Sequence, residues 1–192
     1  QKIHRCIIWA SRLAASASFG DQRLVYYLGG VDNWIARNRF DNTIQVPQDQ
    51  NYAFQTLATP MRGFLQNVRN GSNFAVLNNE IRIPVVRYLM NRPIRSDFLH
   101  NFQVVPFLDV GAAWTGVNPY SDKNSFNTTI YATQGNPIII ILENQREPIV
   151  YGYGWGLRSR IFGYFVRFDW AWGVNDGVVQ PSMKYLSFTL DF

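Results

Sequence analysis

Few side chains here have the type and spacing to do covalent chemistry. The two histidines, His4 and His100, lie far apart, and neither belongs to an HExxH run or sits beside a nucleophile elbow. The one cysteine, Cys6, excludes an internal disulfide framework and any multi-cysteine metal site, and reads as a small residue within a strand. The run Gly152-Tyr153-Gly154-Trp155-Gly156 superficially matches a phosphate loop. A phosphate loop turns from strand into helix, however, whereas this run keeps strand period with rings between its glycines. These glycines are expected to make room for a neighbouring chain segment. No catalytic residue, metal or cofactor is expected, and the chain is not read as an enzyme. What remains is electrostatic: in "ATPMRGF" (Ala58 to Phe64), Arg62 stands among apolar residues. An arginine drawn out of water stays charged and needs carboxylates within bidentate reach.

The elements that would position such groups are strands, because strict alternation of apolar and polar residues dominates the chain. From Ile3 to Phe19, residues Ile3, Ile7, Trp9, Leu13, Ala15, Ala17 and Phe19 share one face, with His4, Arg12, Ser16 and Ser18 opposite. Phe74 to Val86 sets Ala75, Leu77, Ile81, Ile83 and Val85 against Asn78, Glu80 and Arg82, and Phe102 to Trp114 sets Leu108, Val110 and Trp114 against Gln103 and Asp109. Val150 to Arg160 puts Tyr151, Tyr153, Trp155 and Leu157 opposite three glycines and Arg158. Tyr164 to Gly173 puts Phe168, Trp170 and Trp172 opposite Arg167 and Asp169. The last strand, Tyr185 to Phe192, sets Leu186, Phe188, Leu190 and Phe192 against Ser187, Thr189 and Asp191. Both Glu80 and Asp109 therefore lie on polar faces.

Two pairs of media produce this pattern: a dry core against water, or lipid against a wet lumen. Aromatic and charged residues are each 16% of the chain, well short of the roughly one quarter charged in soluble domains. Strands this long, with many rings near their ends and long polar loops, favour a transmembrane β-barrel over a soluble sandwich or lipocalin-like barrel. The connections alternate in length: Arg160 to Gly163 is tight and "NRPIRSDF" (Asn91 to Phe98) moderate, while 20–73 and 115–148 are long. Within the second long loop "PIIIILE" either extends a strand or forms a loop hairpin. Long loops belong outside the cell, which puts "MRGF" on the extracellular side. Six strands cannot close a barrel in lipid, so residues 1–192 are expected to be the C-terminal part of one larger barrel domain. The net charge of +5 comes from scattered single arginines rather than a basic run, and nucleic acid is not expected as a partner.

Taken in order, "LGG" (Leu28 to Gly30), "MRGF" (Met61 to Phe64), "NNEIRIPV" (Asn78 to Val85), "PFLDVGAAW" (Pro106 to Trp114), "GYGWGLR" (Gly152 to Arg158), "FDWAWG" (Phe168 to Gly173) and the terminal "YLSFTLDF" resemble the closing strands of the BamA and TamA superfamily, the bacterial surface antigen family. The resemblance implies an all-β, antiparallel outer-membrane barrel of sixteen strands, of which these are the last six. It implies that the first long loop folds back into the lumen and presents an Arg-Gly-aromatic tip, matched by Arg62, Gly63 and Phe64. Its acidic partners on the inner wall match Glu80 and Asp109, with Phe107 pointing inward beside Asp109 as the candidate contact for Phe64. The terminal residues Tyr185, Leu186, Phe188, Leu190 and Phe192 resemble the signal by which such barrels are recognised during assembly. In this family the first and last strands meet at a weak seam through which client strands are templated.

The resemblance further implies location in the outer membrane of a Gram-negative bacterium. The implied partners are outer-membrane lipid, subunits of an envelope complex and client polypeptides, with a role in protein insertion or translocation. A long insert between Gly30 and Arg62 departs from the usual pattern. Stretches such as "LVYYLGGVDNW" resemble barrels of large Bacteroidota proteins, some carrying a TolB-like propeller. That implies the alternative of a barrel serving as anchor or scaffold for a periplasmic domain. A simple porin would lack the inward-folded arginine loop.

Overall fold

The alternating segments fold as strands. The structure, a computed structural model, describes residues 2–4, 7–36, 38–46, 52–90, 93–121, 124, 126–132, 139–143 and 146–190. In chain order these form β1 (Lys2–His4), β2 (Ile7–Ala17), β3 (Arg23–Leu28), β4 (Tyr52–Leu57), β5 (Arg69–Gly71), β6 (Asn73–Arg82), α1 (Val85–Leu89), α2 (Asp97–His100), β7 (Gln103–Trp114), β8 (Thr128–Ala132), β9 (Ile139–Glu143), β10 (Ile149–Ile161), β11 (Tyr164–Asn175), β12 (Val178–Val179) and β13 (Met183–Leu190). The architecture is all-β and mostly antiparallel. Cys6 and Phe192 lie outside the described residues.

One sheet of eight strands organises the chain, in the order β1-β2-β6-β7-β10-β11, with β11 carrying both β12 and β13 on its far side. The six long strands β2, β6, β7, β10, β11 and β13 follow one another as a meander, each antiparallel to the next. The sheet is open, with β1 and β13 at opposite edges among the described residues. Segment 18–72 crosses one face of this sheet and builds a small sheet of its own, in the order β4-β3-β5. The buried core lies between that segment and the large sheet. Tyr26, Leu28, Met61, Phe64 and Val68 meet Phe74, Val76, Ala113 and Val150 there. Leu28 and Met61 are fully buried, and each such side chain contributes about 1.5–3 kcal/mol relative to exposure.

The two faces of the large sheet differ as alternation requires. On the loop-bearing face Val105, Phe107, Asp109, Gly111, Gly152, Asp169, Ala171, Tyr185 and Ser187 are buried. On the bare face Trp9, Leu13, Leu77, Ile81, Leu108, Tyr151, Tyr153, Trp155, Leu186 and Phe188 are exposed. Rings cluster there: Tyr153 stacks on Trp172 with centroids 6.0 Å apart, and Trp172 on Trp170 at 5.9 Å.

Three expectations need correction. The first segment is not one strand from Ile3 to Phe19, because β1 is a separate strand that turns back to pair antiparallel with the edge of β2. A free strand edge leaves backbone N–H and C=O groups unpaired, and this return covers part of it. The strand expected from Phe74 to Val86 ends at Arg82, since Pro84 has no N–H to continue the ladder and instead precedes α1. The connection read as the turn Asn91 to Phe98 accordingly runs from α1 through α2. Of the two readings of "PIIIILE", the hairpin holds for its described residues 139–143: among the described residues β9 pairs only with β8, apart from the large sheet.

Candidate functional site

Arg62 is drawn into the interior by the chain on either side of it. Gly30 and Met61 form an antiparallel bridge, the Met61 amide donates to the Gly30 carbonyl at 3.0 Å, and Met61 is fully buried. Gly63 then turns the chain with a φ of 96°, a left-handed conformation that side chains rarely adopt. An added methyl at Gly63 would lie 2.6 Å from the Gly173 amide nitrogen, so the tip rests directly on the backbone of β11.

Across from the tip, β6 and β7 run in register, with Asn78 opposite Asp109 and Glu80 opposite Phe107. Two consecutive loop-face positions on each strand therefore line the seat of the tip, and Glu80, Phe107 and Asp109 among them meet Arg62. Its Nε and Nη2 donate to the two oxygens of Asp109 at 2.6 Å each, and its Nη1 donates to Glu80 Oε1 at 2.8 Å. The Arg62 backbone amide adds a longer bond to Asp109 at 3.3 Å. The guanidinium also lies over the Phe107 ring, 3.6 Å from its centroid. Asn78 Nδ2 donates to the Pro60 carbonyl at 2.9 Å and fixes the approach to the tip. Arg62 is 2% exposed and Asp109 fully buried. Burial opposes the Arg62 charge, but the hydrogen bond and charge of Asp109, with Asp169 and Glu80 adding, more than offset it and raise its pKa above the usual value.

Phe64 does not pack on Phe107. Its ring fills the space left by Gly173 and joins the cluster of Met61, Val68 and Val76, while Phe107 belongs to a second cluster with Trp34, Ala171 and Tyr185. The reason is steric: the Phe107 face is already taken by the Arg62 guanidinium. The three glycines of β10 likewise divide their roles. Only Gly152 leaves room for the loop, at the Arg62 carbonyl; Gly154 lies against the β11 backbone at Trp170 and the Phe107 ring, and Gly156 against the Asp169 carboxylate.

Several partners escaped the sequence reading although its signal was present. Alternation put Arg158, Arg167, Asp169 and Arg82 on the face of Glu80 and Asp109, and there they form a network. Arg158 donates twice to Glu80, at 2.9 and 2.6 Å, and Arg82 twice at 3.2 Å. Arg167 Nε donates to Asp169 at 2.5 Å. Tyr185, expected as part of a terminal signal, is a buried clamp on the tip: it accepts from the Gly63 amide at 2.9 Å and donates to the Phe64 carbonyl at 2.7 Å. The parity of the last strand placed Tyr185 with Ser187 rather than with the exposed Leu186 and Phe188.

The insert after Gly30 reaches the edge strand. Trp34 bridges Ser187 and packs on Tyr185 with centroids 4.8 Å apart, and the Ile35 amide donates to the Leu186 carbonyl at 2.9 Å. A second buried arginine, Arg69, donates to the Val68 and Glu147 carbonyls and to Asn175, at 2.8, 2.7 and 2.7 Å. Burial pushes its pKa down to about 10 against the pull of Asp176.

Arranged this way, the site can hold a loop in place by charge. Among the described residues, no group of histidine, cysteine or carboxylate side chains could hold a metal ion. No protein family, curated protein or solved structure matches the chain.

Proposed function

We propose that this chain is the C-terminal part of an outer-membrane β-barrel of the BamA-like type, acting in insertion or translocation of proteins without covalent chemistry. One observation carries the reading. A single antiparallel sheet has one bare, apolar, ring-rich face and one charged face, and the charged face holds a loop through Arg62, Glu80 and Asp109. An uncovered apolar face of this breadth is unfavourable in water and favourable against lipid. The charged face then suits a wet lumen, and the sheet edge at β1 suits continuation into further strands, sixteen in the family it resembles.

A second reading is favoured by the insert. Trp34 and Ile35 occupy the backbone edge of β13 at Leu186 and Ser187, where a templated strand would otherwise pair. A covered edge suits a static anchor for a periplasmic domain better than an insertase. Reconstitution of the full-length protein in liposomes separates the two. An insertase raises the folding yield of an unfolded barrel client severalfold over empty liposomes. A yield equal to that of empty liposomes rejects insertion activity.

A further inference from the structure

Below the loop tip, toward the tight-turn end of the sheet, lies a cavity of about 320 Å³. That is within the range of small-ligand pockets, at its lower end. Its charged lining consists of Arg12, Arg62, Arg82, Arg158 and Arg167 with one carboxylate, Glu80. Two further carboxylates on the same face serve this group, Asp109 on Arg62 and Asp169 on Arg167, and both are fully buried. Five arginines thus share three carboxylates, which leaves two positive charges over.

The excess is localised. Arg12 is exposed and makes no hydrogen bond or ion pair with the described residues; its strand position is opposite Asn78 of β6. Glu80 is divided among Arg62, Arg82 and Arg158, so its oxygens cannot fully neutralise any one of them. Arg158 and Arg167 sit directly opposite each other on neighbouring strands, an arrangement of like charges that is unfavourable in a sheet. The Nε of Arg158 is buried without a hydrogen-bond partner among the described residues.

We propose that this cavity is an oxyanion site that takes a phosphate-bearing group. Guanidinium forks match the oxygens of phosphate, and the two uncompensated charges match the roughly −1.5 to −2 carried by a phosphomonoester at pH 7. The phosphate could be supplied by a soluble phosphorylated molecule or by a lipid headgroup, since both present the same oxygens. The site stands whether or not the sheet belongs to a membrane barrel, because it depends only on the loop-bearing face.

Calorimetric titration of the full-length protein tests this, with inorganic phosphate and with a short-chain phosphatidate below its micelle concentration as separate probes. Saturable binding of either probe is expected, weakened about tenfold in Arg12→Gln, in keeping with loss of one charge-assisted hydrogen bond. Tighter binding of phosphatidate assigns the lipid source, and tighter binding of phosphate the soluble one. Arg12 has no structural partner among the described residues, so the thermal midpoint of Arg12→Gln should equal that of the parent. Absence of saturable binding by both probes overturns the proposal, as does equal affinity in Arg12→Gln and Arg82→Gln compared with the parent.

Discussion

Arg62 and Asp109 meet through two parallel N–H···O bonds of equal length, 2.6 Å, formed where neither side chain is more than 2% exposed. The fork geometry fixes the orientation of the loop tip as well as its charge. Because both groups have left water, removing one strands the other.

Replacing Arg62 with alanine leaves Asp109 buried without its partner and Glu80 with two cations rather than three. The expected cost is about 3–5 kcal/mol in docking of segment 58–72. Arg62→Lys keeps the charge but loses the fork, and about 1–3 kcal/mol is expected. Amide hydrogen exchange of residues 58–72 measures both, with the order parent, lysine, alanine from slowest to fastest. Equal protection in all three would show that the ion pair does not hold the loop.

Tyr185→Phe tests the clamp separately. The ring and its packing on Trp34 remain, while the Gly63 amide and Phe64 carbonyl lose a buried partner. A loss of about 1–3 kcal/mol in tip protection is expected, with little change at β7. Unchanged exchange at Gly63 would reject the clamp.

Much of this site was legible in the sequence. Alternation is a local property, so the face carrying Glu80, Asp109, Arg158 and Asp169 followed from residue parity alone. The same parity separated Tyr185 from Leu186. What parity could not supply was distance along the third dimension: that Arg158 reaches Glu80 across β7, or that Phe107 turns its ring to Arg62 and leaves Phe64 to Gly173. Alternation alone carries β6 too far, past Pro84, because the apolar pattern continues through Val85 although the backbone donor is missing. The path of the insert was illegible as well, since Trp34 finds Ser187 through backbone pairing that carries no side-chain signature.

Glycine substitutions separate backbone strain from close packing. Gly63 and Gly116 both hold left-handed φ values, 96° and 83°, but a methyl at Gly63 meets β11 backbone whereas at Gly116 it meets nothing within 4 Å. Gly116→Ala is expected to cost about 1–2 kcal/mol for conformation alone. Gly63→Ala adds a clash of about 1–3 kcal/mol and should release the tip. Urea midpoints of the two variants check this, and equal midpoints would contradict close seating of the tip on Gly173.

The most direct measurement concerns the two faces of the sheet. Arg12 and Leu13 are neighbours on β2, both exposed, with Leu13 on the bare face and Arg12 lining the loop-side cavity. Nitroxide labels at Leu13→Cys, Leu77→Cys and Arg12→Cys, in a Cys6→Ser background in native membranes, report their surroundings by collision with oxygen and with a water-soluble nickel chelate. The prediction is that Leu13 and Leu77 collide preferentially with oxygen, as in lipid, and Arg12 with the chelate. Preferential collision with the chelate at Leu13 and Leu77 would contradict a sheet whose bare face meets lipid.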